Sequence, residues 1–207
     1  MTTLRMSSPP FSFTSDSTYS ISNLLTLRRR MAQQDGRPVG LIVQPVRDSL
    51  ATMKKIVVSG YVAALPPEPA TVESNPWVLV LTTTDGSAMV LELRESDPKG
   101  STVVVCREEP TKTEDWVTRK CARSWPLTVR ERRGIGTWLD ILESSGLTTY
   151  QLDAGHGSRW WLDCVLTKLE SSFLAGCGDT KLWLRMAWKD NGDPQGEMQS
   201  LRRGTWV

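Results

Sequence analysis

Trp77-Val78-Leu79-Val80-Leu81-Thr82-Thr83-Thr84-Asp85-Gly86-Ser87-Ala88-Met89-Val90-Leu91-Glu92-Leu93 is the stretch that decides the fold. Two apolar runs rich in β-branched residues flank a short polar break, the signature of paired strands. Asp85-Gly86 marks a hairpin, because the central turn positions need positive φ and glycine supplies it at no steric cost. Outward from this pair, Ile56-Val57-Val58 through Val62 and Thr102-Val103-Val104-Val105 read as further short strands, and the strand-like composition begins at Val39. Pro66-Pro67-Glu68-Pro69 and Ser96-Asp97-Pro98-Lys99-Gly100 punctuate the joins. The reading is an antiparallel β-meander.

The second half changes period. Ile135, Trp138, Leu139 and Leu142 fall at i, i+3, i+4 and i+7, an amphipathic helix closed by Gly146. A short strand over 147–152 follows. A second helix starts at Ser158, presents Leu162, Val165, Leu166, Leu169 and Phe173 on one face, and ends by Gly176. Helix and strand both fit 182–188. No internal repeat is present. The fold class is therefore α+β, a meander packed on two or three helices.

The chain has 207 residues, enough for one domain with a sizeable core and no disulfide staples. Residues 1–37 are Ser/Thr-rich, with Pro9-Pro10 and Arg28-Arg29-Arg30, and are expected to form a disordered basic arm ahead of a single domain over 38–207. A mitochondrial presequence is the alternative for this arm, since 21–31 can form a short basic amphipathic helix; the two prolines and the clustering of the arginines argue against it. Lys and Arg number 25 against 23 acidic residues, a net +2, too balanced for a nucleic-acid or membrane-surface protein. No run approaches the roughly 18 apolar residues of a spanning helix. Cys106, Cys121, Cys164 and Cys177 contain no C-x-x-C pair and follow no signal-peptide core, so reduced thiols in a cytoplasmic setting are expected. One histidine and four dispersed cysteines make no zinc site. No metal and no cofactor is expected.

Chemistry is easiest to place at Gly155-His156-Gly157-Ser158-Arg159-Trp160-Trp161, a glycine-hinged loop carrying the only histidine into the second helix. A helix start presents unpaired N–H groups and partial positive charge, which suit an anion or a developing oxyanion. The candidate catalytic residues are His156, Ser158 and Asp163. Each has a plainer reading: Ser158 as a hydroxyl N-cap worth about 1 kcal/mol, His156 as a solvated loop residue without a carboxylate to orient it, and Asp163 as a first-turn carboxylate favoured by the dipole. The candidate ligand-binding residues are Trp77, Arg159, Trp160 and Trp161. Nine tryptophans are several times ordinary usage, and the adjacent indoles of Trp160 and Trp161 cannot both enter one core. An aromatic-lined pocket for a hydrophobic or planar small molecule follows.

Trp77-Val78-Leu79-Val80-Leu81 with its Asp-Gly hairpin, Gly157-Ser158-Arg159-Trp160-Trp161 running to Leu169-Glu170, and Arg203-Gly204-Thr205-Trp206 together resemble a fungal domain family of unknown function, over about residues 56–207. That family reads His-Trp in the early strand, Gly-Cys-Arg-aromatic-Trp at the helix start, and Arg-Gly-Thr-Phe near its end. A strand histidine followed by a cysteine at a helix start is the chain order of circularly permuted papain-like folds, and this fold is what the resemblance implies. The present chain departs from the pattern at both places, with Pro76 in the histidine position and Ser158 in the cysteine position. Papain-like thiol chemistry is therefore not expected of it.

Two function classes emerge. One is a small tailoring enzyme of cyclase or isomerase type, acting on a hydrophobic intermediate of fungal secondary metabolism, which the resemblance implies. The other is a non-catalytic binding or accessory protein that keeps the fold without the nucleophile pair. The partner in both is a hydrophobic or aromatic small molecule.

Overall fold

The computed structural model describes residues 32–34, 37–44, 49–66, 75–95, 102–152, 157–189 and 191–206. Strands β1 (Ala32–Gln34) and β2 (Arg37–Gln44) pair antiparallel, so the sheet extends into the last residues read as an arm. Residues 1–31, with the arginine triplet and the stretch read as a presequence, lie outside the described residues. A short helix, α1 (Ser49–Lys54), precedes the meander.

The meander is β3 (Val57–Ala64), β4 (Trp77–Thr83), β5 (Ser87–Glu95) and β6 (Thr102–Lys112), each antiparallel to the next. The fold class is α+β, as the apolar periodicities require. Between β4 and β5 the connection is three residues long, Thr84 to Gly86, with Gly86 at φ 83° and its N–H donating to the Thr83 carbonyl at 2.8 Å. A three-residue hairpin loop closes through a glycine in the left-handed conformation, which no other residue adopts as cheaply. The Asp85 carboxylate holds the turn by accepting from Thr83 Oγ1 at 2.5 Å, Ser87 N at 3.1 Å and Lys55 Nζ at 2.5 Å.

Around this centre the sheet grows to eight strands. β2 lies parallel to β6, with Ile42 opposite Val105. Helix α2 (Thr113–Lys120) follows β6, and β7 (Arg123–Val129) pairs with the outer side of β3. β7 carries Pro126, which cannot donate to a ladder. It sits there because the next strand, β9 (Leu174–Ala175), reaches only Thr128 and Val129.

The apolar run of β4 is continuous because both sheet faces are covered. Trp77, Leu79 and Leu81 join the main core with α3 (Ile135–Ser144) and α4 (Ser158–Glu170). Val78 and Val80 join Ala63, Ala88 and Val90 beneath Trp116 of α2. The strand expected over 147–152 is confined to β8 (Tyr150–Gln151), since Leu147 N still bonds the Leu142 carbonyl of α3 at 2.9 Å. α4 stops three residues before Phe173, whose N–H bonds the Leu169 carbonyl at 2.6 Å and whose ring meets Trp138 at 5.0 Å, so it remains core. The ambiguous 182–188 stretch holds both structures: the end of α5 (Gly178–Trp183) and β10 (Ala187–Trp188). β11 (Pro194–Gln195) pairs with β10, and β12 (Thr205–Trp206) pairs with β8. No described helix is long and apolar enough to cross a membrane.

Candidate functional site at the start of helix α4

The β8–β12 pairing carries the end of the chain to the start of α4. Trp206 lies opposite Tyr150 in the ladder, and their rings meet edge to face at 4.6 Å. Tyr150 is fully buried, and its hydroxyl accepts from the backbone N–H of Gly204. Both neighbouring glycines are required by this closeness. A Cβ on Gly204 would collide with the Gln151 carbonyl oxygen, and one on Gly157 would lie 2.7 Å from the Tyr150 hydroxyl and 3.0 Å from Gly204 N. Arg203 completes the junction with its guanidinium carbon 4.2 Å from the centre of the Trp160 ring. The motifs at the helix start and at the chain end thus form one corner.

Ser158 does not cap α4. Gly157 occupies the cap position at φ 117°, where glycine is favoured and no side chain caps, and Ser158 becomes the first helical residue. Its half-buried hydroxyl has no hydrogen-bond partner among the described residues. Asp163 follows five positions later, about 140° around the helix axis at 3.6 residues per turn, and so is not beside Ser158. His156 lies outside the described residues, as do 153–155.

Of the candidate ligand-binding residues, Trp77 and Arg159 carry buried nitrogens without a hydrogen-bond partner among the described residues, and Arg159 is the charged one of the two. It is 9% exposed, and its Nε and one terminal nitrogen have no hydrogen-bond partner among the described residues. Burial lowers its pKa to about 10. Trp161 is fully buried and donates from Nε1 to the Leu147 carbonyl at 2.7 Å, which makes it a core residue with a satisfied indole. Trp160 is half-buried beneath Arg203.

Trp77 belongs to a different assembly. Its ring stacks on Trp125 at 5.3 Å, and Trp125 also meets Trp183 at 6.2 Å and Trp188 at 5.0 Å. Asn75 anchors this group by donating to the Leu65 and Trp188 carbonyls and accepting from Trp188 N. The four cysteines are free. Burial raises Cys106 and Cys121 to about 12 and Cys177 to about 11, and also raises Cys164. Among the described residues no group of His, Cys, Asp or Glu could hold a metal ion.

Tyr150, Arg203 and Trp206 are the corner residues that sequence reasoning passed over. Arg203-Gly204-Thr205-Trp206 stands out as a motif, but nothing local reveals that a two-residue strand joins it to Tyr150. The chain belongs to the family described as a domain of unknown function (DUF7770), which matches residues 60–207. No curated protein and no solved structure matches the chain. The matched span starts within β3 and includes the whole α4 corner.

Proposed function

We propose that this chain is a binding protein for a small molecule with an anionic group and an apolar body, and that the anionic group sits at the start of α4. The observation that carries the reading is the buried guanidinium of Arg159, whose Nε and one terminal nitrogen have no partner among the described residues. A desolvated cation without a partner is expensive, and the positive end of a helix beside it adds to the cost. An anion meeting Arg159 and the first-turn amides relieves both. Half-buried Trp160 and exposed Trp206 flank the corner and suit an apolar or planar body.

The binding reading is preferred to the tailoring-enzyme reading because the described chemistry favours holding over reacting. The Ser158 hydroxyl lacks a base among the described residues, and burial keeps the four thiols protonated. Free thiols also support a reducing, cytoplasmic setting.

Arg159→Met tests the function directly. Methionine fills a similar volume without the charge, so the variant is expected to melt at or above the wild-type temperature. Sulfate, compared with chloride at equal ionic strength, is expected to raise the melting temperature of the wild type more than that of the variant, whose smaller rise reports the general salting-out effect. A lower melting temperature for Arg159→Met, or the same sulfate response in both proteins, would show Arg159 to be structural.

A further inference from the structure

On the sheet face opposite α4, a cavity of about 410 Å3 opens between α2 and the strands β3 and β6. Helix α2 contributes Trp116, Arg119 and Lys120, at spacings i, i+3 and i+4 that put all three on one side of the helix. β6 contributes Arg107 and Glu109, and Leu65 just beyond β3 closes the apolar side. Trp116 is 5% exposed and rooted in the smaller apolar cluster, so the cavity has a fixed aromatic floor.

The charges around that floor do not balance. Three cations face one carboxylate, and that carboxylate is already engaged: Glu109 lies 3.0 Å from Arg107 Nε, while Arg107 also reaches Glu92 at 3.5 Å. Arg119 and Lys120 have no ion-pair partner among the described residues. Last-turn cations do favour a helix dipole, but two of them over a concave aromatic floor also form an anion clamp with an apolar seat. The volume is within the usual range for a small-molecule site.

We infer that this cavity is a second ligand site, independent of the α4 corner, for an anionic molecule with a planar apolar body. Its charged group lies between Arg119 and Lys120, and its ring system lies against Trp116 and Leu65. Arg107 stays with its carboxylates and shapes the wall.

The test is a titration of the full chain with 2-naphthoate, followed through the indole N–H resonance of Trp116, which is identified by its loss in Trp116→Phe. The resonance is expected to shift saturably. Arg119→Gln combined with Lys120→Gln, both at exposed positions and so compatible with folding, is expected to weaken binding tenfold or more. The neutral analogue 2-naphthalenemethanol is expected to bind correspondingly weakly. Three results would each overturn the assignment: a Trp116 resonance that does not move, an unchanged affinity in the double variant, or equal affinity for the neutral analogue.

Discussion

The hydroxyl of Tyr150 accepts a hydrogen bond from the backbone N–H of Gly204, 54 residues further along the chain. This bond locks the terminal strand β12 against β8 and brings Arg203 over Trp160. The α4 corner therefore depends on a contact made by a residue with no apparent chemical role. Tyr150→Phe removes the acceptor and leaves the Gly204 N–H to find water. The expected cost is about 1–2 kcal/mol, with faster hydrogen exchange at Thr205 and Trp206 than in the wild type. Unchanged exchange there would mean that the ladder alone holds the terminus.

Ser158→Asp separates the ligand reading from a structural one. A carboxylate in the first turn suits the helix dipole, so the variant should fold with near wild-type stability in urea unfolding. It also places a negative charge beside Arg159, where the ligand's anion would sit, and should reduce the stabilisation by sulfate. Retention of the full sulfate response would exclude an anion from this corner.

Leu169→Ala tests the packing of α4. Leu169 is fully buried in the main core, on the face that also carries Leu162, Val165 and Leu166. Emptying such a site costs about 2–5 kcal/mol. An unaltered denaturant midpoint would be incompatible with this packing.

The β4–β5 turn should govern part of the acid sensitivity. The Lys55 bond first, and then the Thr83 bond, hold the Asp85 carboxyl below its ordinary value of 3.8. A depressed folded-state pKa contributes stability that is present above the unfolded value and is lost as pH falls through the folded one. Stability attributable to Asp85 should therefore decline below about pH 4. In Asp85→Asn this part of the acid decline should disappear. Parallel pH profiles for the two proteins between pH 5 and pH 2 would rule the effect out.

Local pattern was enough to identify the meander and the buried faces of α3 and α4. A short continuous apolar run and a 3.6-residue period report burial directly, so Trp77–Leu81, Ile135–Leu142 and Leu162–Leu169 are legible without any partner in view. The same logic fails for α2 and β7. α2 is dominated by charged and polar residues, with Trp116 carrying most of its apolar contact, and β7 exposes much of its length around Pro126. Ser158 was misplaced by one residue because serine is a good cap in isolation, whereas the close approach of Tyr150 and Gly204 demands glycine at 157.

Composition and period by themselves determined an α+β chain with a meander, two amphipathic helices and unpaired cysteines. Only tertiary structure decided which of the marked residues meet. It put Trp77 in the Trp125 stack, Trp161 in the core, and Trp160 under Arg203 from the far end of the chain. It also left Arg159 buried without a hydrogen-bond partner among the described residues. The physical reason is that periodicity reports which face of an element is buried, while long-range pairing such as β8 with β12 decides what that face is buried against.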